Sequence, residues 1–211
     1  VSASYFLINK DDKWGVIDNN SKVIIEPIYD ETIIIPDNKK DVFIINYDVD
    51  YDNNTYKTKV LNSKGKEILT DFENIKALEN YDENKNLWYE ENVLLIQKDG
   101  KYGLINFNGE VILAAEYDDI YALKGAKNSI VTVKDKQLGL VNDSGKKIIN
   151  NEFEEIKYLG DNSKTYVVKK DGKYGVNEIL DCKYQDIKKI DNKDAFCVKE
   201  NGKYKVINAE E

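Results

Sequence analysis

Short apolar runs separated by clusters of turn-forming residues set the rhythm of this chain from end to end. Val93-Leu94-Leu95-Ile96 leads into Asp99-Gly100, a strong two-residue hairpin signal, and the chain returns through Lys101 to Asn106. Phe107-Asn108-Gly109 then supplies a second turn, Glu110 to Leu113 a third extended run, and Tyr117-Asp118-Asp119-Ile120 a fourth. The runs are too short for helices and are broken at strand-like intervals. Each such stretch therefore predicts a small antiparallel meander.

The meander is written several times. Lys13-Trp14-Gly15-Val16-Ile17-Asp18 returns as Lys101-Tyr102-Gly103-Leu104-Ile105-Asn106, as Gln137-Leu138-Gly139-Leu140-Val141-Asn142, and in shortened form as Lys173-Tyr174-Gly175-Val176-Asn177. Its aromatic position falls at Trp14, Thr58, Tyr102, Leu138, Tyr174 and Tyr204, a period of about 36 that is longer early in the chain and shorter late. A fixed recurrence of this length marks supersecondary units that bury apolar faces on their neighbours. The expected fold is all-β: one array over 1–211, of three- to four-stranded antiparallel units at 5–35, 42–78, 93–123, 130–159, 165–190 and 195–211. Such units stack into an open, twisted, solenoid-like array or close into a five- to six-bladed propeller. Whole hairpins at both ends of the sequence favour the open form.

Two features of the repeat predict how units meet. The glycines Gly15, Gly103, Gly139 and Gly175 lie inside a strand, where glycine weakens pairing unless something approaches the bare backbone. The expectation is an aromatic ring from the neighbouring unit. Lys59 and Lys205 take the glycine position in units two and six, which predicts looser contact there. A second phrase, aromatic-acid-x-apolar, recurs as Phe72-Glu73-Asn74-Ile75, Tyr117-Asp118-Asp119-Ile120, Phe153-Glu154-Glu155-Ile156 and Tyr184-Gln185-Asp186-Ile187, with Tyr29-Asp30 opening the first copy. Its rings read as core. Its acids would stack as like charges beside a file of motif lysines, although Gln137 and Gln185 break any strict pairing.

Composition narrows the chemistry. Of 211 residues 41% are hydrophobic, enough for a core, and the net charge is −8 with no arginine and no histidine. Nucleic-acid and anionic-membrane binding need clustered positive charge, so neither partner is expected. Without histidine the usual general base and the commonest zinc ligand are absent. Cys182 and Cys197 show neither metal nor redox spacing, and read either as two core thiols or as one disulfide joining the last two units. The opening Val1-Ser2-Ala3, with its small residues, suggests a trimmed leader and hence an extracellular or cell-surface protein, with the cytoplasm as the alternative.

Trp14-Gly15-Val16-Ile17 and Ile24-Ile25-Glu26-Pro27-Ile28-Tyr29-Asp30 resemble the WG repeat, also called the KWG repeat, of bacterial repeat proteins. The resemblance covers nearly the whole chain apart from inserts near 47–56 and 79–92. It is closest in units one, three and four, weaker in unit five, and poor in unit two, where Thr58 and Lys59 replace the Trp-Gly pair. It implies an all-β module that serves as an interaction surface, and it carries no catalytic residues.

If packing explains the periodic residues, function is to be sought in the inserts. Asp48, Asp50 and Asp52 alternate as in a calcium loop, but the glycine and the closing glutamate are missing, and a solvated hairpin tip is the plainer reading. Tyr81, Trp88 and Tyr89 sit in an otherwise polar stretch and are the candidate binding residues. These features point to a non-catalytic, monomeric binding or scaffold module without cofactor or metal, whose partner is a protein or a glycan. A hydrolase using two carboxylates and a passive spacer for another domain are the alternatives.

Overall fold

Every regular element is a β-strand in the computed structural model, which describes residues 4–160, 165–191 and 193–209. The strands form six small antiparallel sheets, in chain order. The first holds β1 (Tyr5–Lys10), β2 (Lys13–Asp18) and β3 (Val23–Tyr29). The second holds β4 (Phe43–Asp50), β5 (Thr55–Leu61) and the two-residue β6 (Glu67–Ile68). The third holds β7 (Lys76–Tyr81), β8 (Leu87–Lys98), β9 (Lys101–Ile105) and β10 (Val111–Tyr117). The fourth holds β11 (Asp119–Ala122), β12 (Ile130–Lys134), β13 (Gln137–Val141) and β14 (Lys147–Phe153). The fifth holds β15 (Glu155–Tyr158), β16 (Tyr166–Lys170), β17 (Lys173–Val176) and β18 (Leu180–Tyr184), and the sixth β19 (Asp186–Lys189), β20 (Ala195–Glu200) and β21 (Lys203–Asn208). The all-β array of three- to four-stranded units read from the sequence is present, and no sheet closes into a barrel among the described residues.

The sheets are phased one strand earlier than the sequence units. β10 ends at Tyr117 in the third sheet, and β11 starts at Asp119 as the edge of the fourth. The same switch falls at Glu154 and at Gln185. At all three places the backbone N–H of the switch residue donates to the next hairpin, Asp118 to Val133, Glu154 to Lys169 and Gln185 to Lys199, at 2.7–2.8 Å. The aromatic-acid phrase thus carries the chain from one sheet into the next.

Contacts divide the chain into two compact units, one of residues up to Glu79 with Trp88–Glu116, the other of Asn80–Leu87 with residues from Tyr117 onward. In the first unit Phe43 and Ile45 pack with Val16, Ile25 and Ile33, while Val42 and Ile44 pack with Leu94, Ile96 and Ile105. In the second, Val167 joins Val176 and Phe196, whereas Tyr166 and Val168 join Val131, Leu140 and Ile149. Successive residues of one strand thus feed cores on opposite faces of a sheet. That is why these strands read as unbroken apolar runs rather than as an alternation.

The polar ends of the motif cap turns. Oδ1 of Asp18, Asn62, Asn106 and Asn142 each accepts from the backbone N–H groups two and four residues on, at 2.8–3.0 Å. The glycine expectation is corrected by the same sheets. A Cβ on Gly15 would stand 2.6 Å from the Ile25 carbonyl oxygen, one on Gly103 2.6 Å from that of Leu113, and one on Gly175 2.5 Å from that of Leu180. At Gly139 the close neighbour is Asn151, at 2.9 Å. What covers the bare backbone is the next strand of the glycine's own sheet, not a neighbour's ring. The pairing Trp14 with Tyr29 and Val16 with Ile25 leaves three residues of β3 opposite the one glycine, an enlarged bulge repeated between Leu138 and Leu140 and between Tyr174 and Val176.

Candidate binding surface

The bulge sets the motif ring against the phrase ring. Trp14 pairs with Tyr29, Leu138 with Phe153 and Tyr174 with Tyr184, each across one antiparallel ladder. Tyr117 and Tyr184 are buried, while Trp14, Tyr29, Phe72, Tyr102, Phe153 and Tyr174 are half-buried, and Tyr204 in the last hairpin is exposed. The rings are therefore core at their inner edges, with Tyr204 as the exception.

The polar residues of the phrase accept hydrogen bonds from turn backbone. The Asp118 carboxylate accepts the Asp135 N–H at 2.8 Å, Glu154 accepts that of Gly172 at 3.2 Å, and the Gln185 amide oxygen accepts that of Gly202 at 2.7 Å. Each closes the tight turn of the following hairpin. Gln185 replaces an acid without loss because the bond needs only an oxygen. Asp30 pairs with its motif lysine, Lys13.

Lysines instead ride on rings. Lys157 and Lys169 lie 5.3 and 5.2 Å from the Tyr174 ring centre. Where lysine replaces the motif glycine it reaches back to the phrase ring of the preceding unit: Lys59 stands 5.3 Å from the ring of Tyr29, and Lys205 stands 6.0 Å from that of Tyr184. At Lys59 the third strand is the short β6, which pairs only with Val60 and Leu61, so the side chain has room.

The candidate residues Tyr81, Trp88 and Tyr89 are not in a loop. Tyr81 ends β7, and Trp88 and Tyr89 begin β8, so the expected polar loop shrinks to a turn over 82–86. Pairing of β7 with β8 across that turn overrides the polar local composition. Tyr81 is 40% exposed, and Trp88 and Tyr89 are half-buried. Beside Tyr81, the buried Asn80 amide donates to the carbonyls of Leu123 and Ala126 at 3.0 and 3.1 Å, and its oxygen accepts the Gly125 N–H at 3.0 Å. That clasp ties the turn end of the β7–β8 hairpin to the loop after β11 within the second unit.

The calcium reading finds no converging ligand set. The Asp48 carboxylate is on Lys57 at 2.8 Å, and that of Asp50 accepts the N–H groups of Asp52 and Asn53. No group of three acid, cysteine or histidine side chains converges among the described residues. Cys182 and Cys197 are free thiols; Cys182 donates to the Val168 carbonyl at 3.8 Å, and burial pushes its pKa up. Sequence reasoning missed a cleft of about 410 Å³ in the first unit, between Tyr29-Asp30-Glu31 and the insert residues Asn46, Tyr47, Asp48 and Tyr51. The insert was legible as a break in the period, but its packing against the first phrase was not.

Small antiparallel sheets linked by repeated strand switches, with motif polar groups used as turn caps, define a β-repeat protein. Comparison with known families matches residues 14–45, 102–136, 139–174 and 177–204 to the WG containing repeat, and those segments make up more than half of the chain. The chain belongs to the WG containing repeat family. Residues 46–101, which include both inserts, lie between the first two matched segments. No curated protein matches the chain.

Proposed function

We propose that this chain is a non-catalytic binding or scaffold module whose partner is a protein or a glycan. The observation that carries this reading is the division of labour between repeat and insert. The recurring polar side chains are committed to turns and sheet switches, which leaves recognition to the inserts that carry Tyr51, Tyr81, Trp88 and Tyr89. Four carboxylates, those of Asp50, Asp82, Glu155 and Glu200, are held below their ordinary range by hydrogen bonds and nearby lysines. The acidic net charge of −8 disfavours nucleic acid and anionic lipid as partners. An extracellular location and a monomeric state belong to the same reading.

The test is an affinity screen of the full chain against a glycan array and the surface proteins of its source cells, repeated with Tyr81→Ala and Trp88→Phe. Loss of a captured partner in either variant, with an unchanged urea midpoint, supports the reading. Turnover of glycoside or peptide substrates that disappears on replacing an acidic pair would reject it.

A further inference from the structure

We infer that the cleft walled by Tyr29, Tyr47 and Tyr51 binds a neutral oligosaccharide, an inference that rests on the binding-module reading and gives it a site and a ligand class. The cleft, at about 410 Å³, is within the range of small-molecule sites. Its aromatic wall is partly preorganised. Tyr51 is 77% exposed, yet its hydroxyl donates to the Glu31 carboxylate, so an open ring is tethered at its edge. The amide of Asn46 and the carboxylates of Glu31 and Asp48 share the lining with the rings. Ring surface beside amide and carboxylate oxygens suits a pyranose, whose C–H faces lie on aromatic carbon while its hydroxyls donate to oxygen.

Charge selects among guests. The carboxylates of Asp30, Glu31 and Asp48 are matched by Lys13 on Asp30, Lys57 on Asp48, and Lys59 over the rings of Tyr29 and Tyr47. A cationic peptide would have to displace Lys59 from both rings, and an anion would meet the carboxylates. A neutral sugar can lie on the open ring of Tyr51 and leave Lys59 in place over the other two. The groove at the corresponding step into the third sheet, about 430 Å³, sets Asp71, Phe72 and Glu73 opposite Gln97, Lys98 and Asp99, with a single ring. Tyr47, Asp48 and Tyr51 come from the off-period insert, which thus adds recognition chemistry to a groove that the repeat provides for packing.

The experiment is titration of the ¹⁵N-labelled full chain with cellotriose, maltotriose, mannotriose and chitotriose, and separately with hexalysine. The expected result is saturable movement of the Asn46, Tyr47 and Tyr51 amides with at least one trisaccharide, and about tenfold weaker binding in Tyr51→Ala. Tyr51→Phe, which removes only the tether to Glu31, should bind a few-fold more weakly, and Tyr204→Phe, in the last hairpin, should bind as the parent does. No response at these amides to any of the four sugars, or a response to hexalysine alone, overturns the proposal. A partner still captured through Tyr81 and Trp88 in that event leaves the binding-module reading standing, so the two failures are told apart.

Discussion

Gly15 faces the carbonyl oxygen of Ile25 so closely that a Cβ there would stand 2.6 Å away, inside van der Waals contact with backbone that cannot swing aside. The glycine is therefore a condition for the bulge, and the bulge is what brings Tyr29 opposite Trp14. Ala at Gly15, Gly103 or Gly175 should lower stability by about 2–3 kcal/mol through overpacking. Gly172 makes the control: its φ of +72° favours glycine, but nothing lies within 4 Å of an added Cβ. Gly172→Asn should lose at most about 1 kcal/mol, because asparagine tolerates that backbone and open space receives its side chain. Urea unfolding of the four variants checks the ranking, and equal losses at Gly15 and Gly172 would refute the close-approach account.

Glu154 tests the meaning of the acidic position. If its carboxylate serves as an oxygen for the Gly172 N–H, as the Gln185 amide does for Gly202, then charge is dispensable there. Glu154→Gln should be within about 0.5 kcal/mol of the parent, and Glu154→Ala should lose about 1 kcal/mol as the turn N–H is left to water. The loss should change little between low and high salt. A Gln variant as damaged as the Ala variant would restore the ion-pair view.

Much of this arrangement is legible in the sequence and some is not, for reasons that lie in particular residues. The Asp99-Gly100 and Asp171-Gly172 pairs announce their hairpins, since both residues of each turn have positive φ. Likewise Tyr117 and Tyr184, recurring once per unit, announce buried rings. The sheet switch at Asp118 is hidden, because Tyr117-Asp118-Asp119-Ile120 reads as extended whether it folds back or goes on. The Asp118 N–H donating to Val133 and its carboxylate accepting from the Asp135 N–H decide. Trp88 and Tyr89 mislead for another reason. Polar neighbours mimic a loop, while the long strand β8 absorbs its irregularity at Asn92, whose φ is 69°. Composition alone does not show that β7 and β8 pair across the turn at 82–86.

Lys136 is the weak member of the hairpin-turn series. Asp135 and Lys136 have φ of 52° and 65°, whereas Gly100, Gly172 and Gly202 occupy the second turn position in three other hairpins. A left-handed conformation strains a long side chain and suits glycine. Lys136→Gly should therefore stabilise the protein by about 0.5–1 kcal/mol. Thermal unfolding would show a raised midpoint; a lowered one would mean that the Lys136 side chain contributes packing or charge that outweighs its backbone strain.

Glu155 and Lys157 give the fold a dependence on pH at both ends. Burial pushes the Glu155 carboxyl up, but the Lys157 ammonium at 3.0 Å, the Tyr174 hydroxyl at 3.1 Å and the charge of Lys169 outweigh it and hold its pKa below the ordinary 4.5. The lowered folded value means that the unfolded chain binds the proton first, so this contribution is complete above pH 4.5 and is lost as pH falls through the folded pKa. The hydrogen bond to Glu155 raises Lys157 above 10.5, so its share is present below that value and disappears as pH rises through the folded pKa. Both groups are largely solvated, which limits the pair to at most about 1 kcal/mol at neutral pH. Glu155→Gln should therefore be less stable than the parent at neutral pH by up to that amount, and the gap should close in acid once the parent carboxyl is protonated. Urea unfolding of both proteins across this range is the measurement. A gap that stays constant from neutral to acid pH would show that the glutamine loses packing at Tyr174 rather than charge.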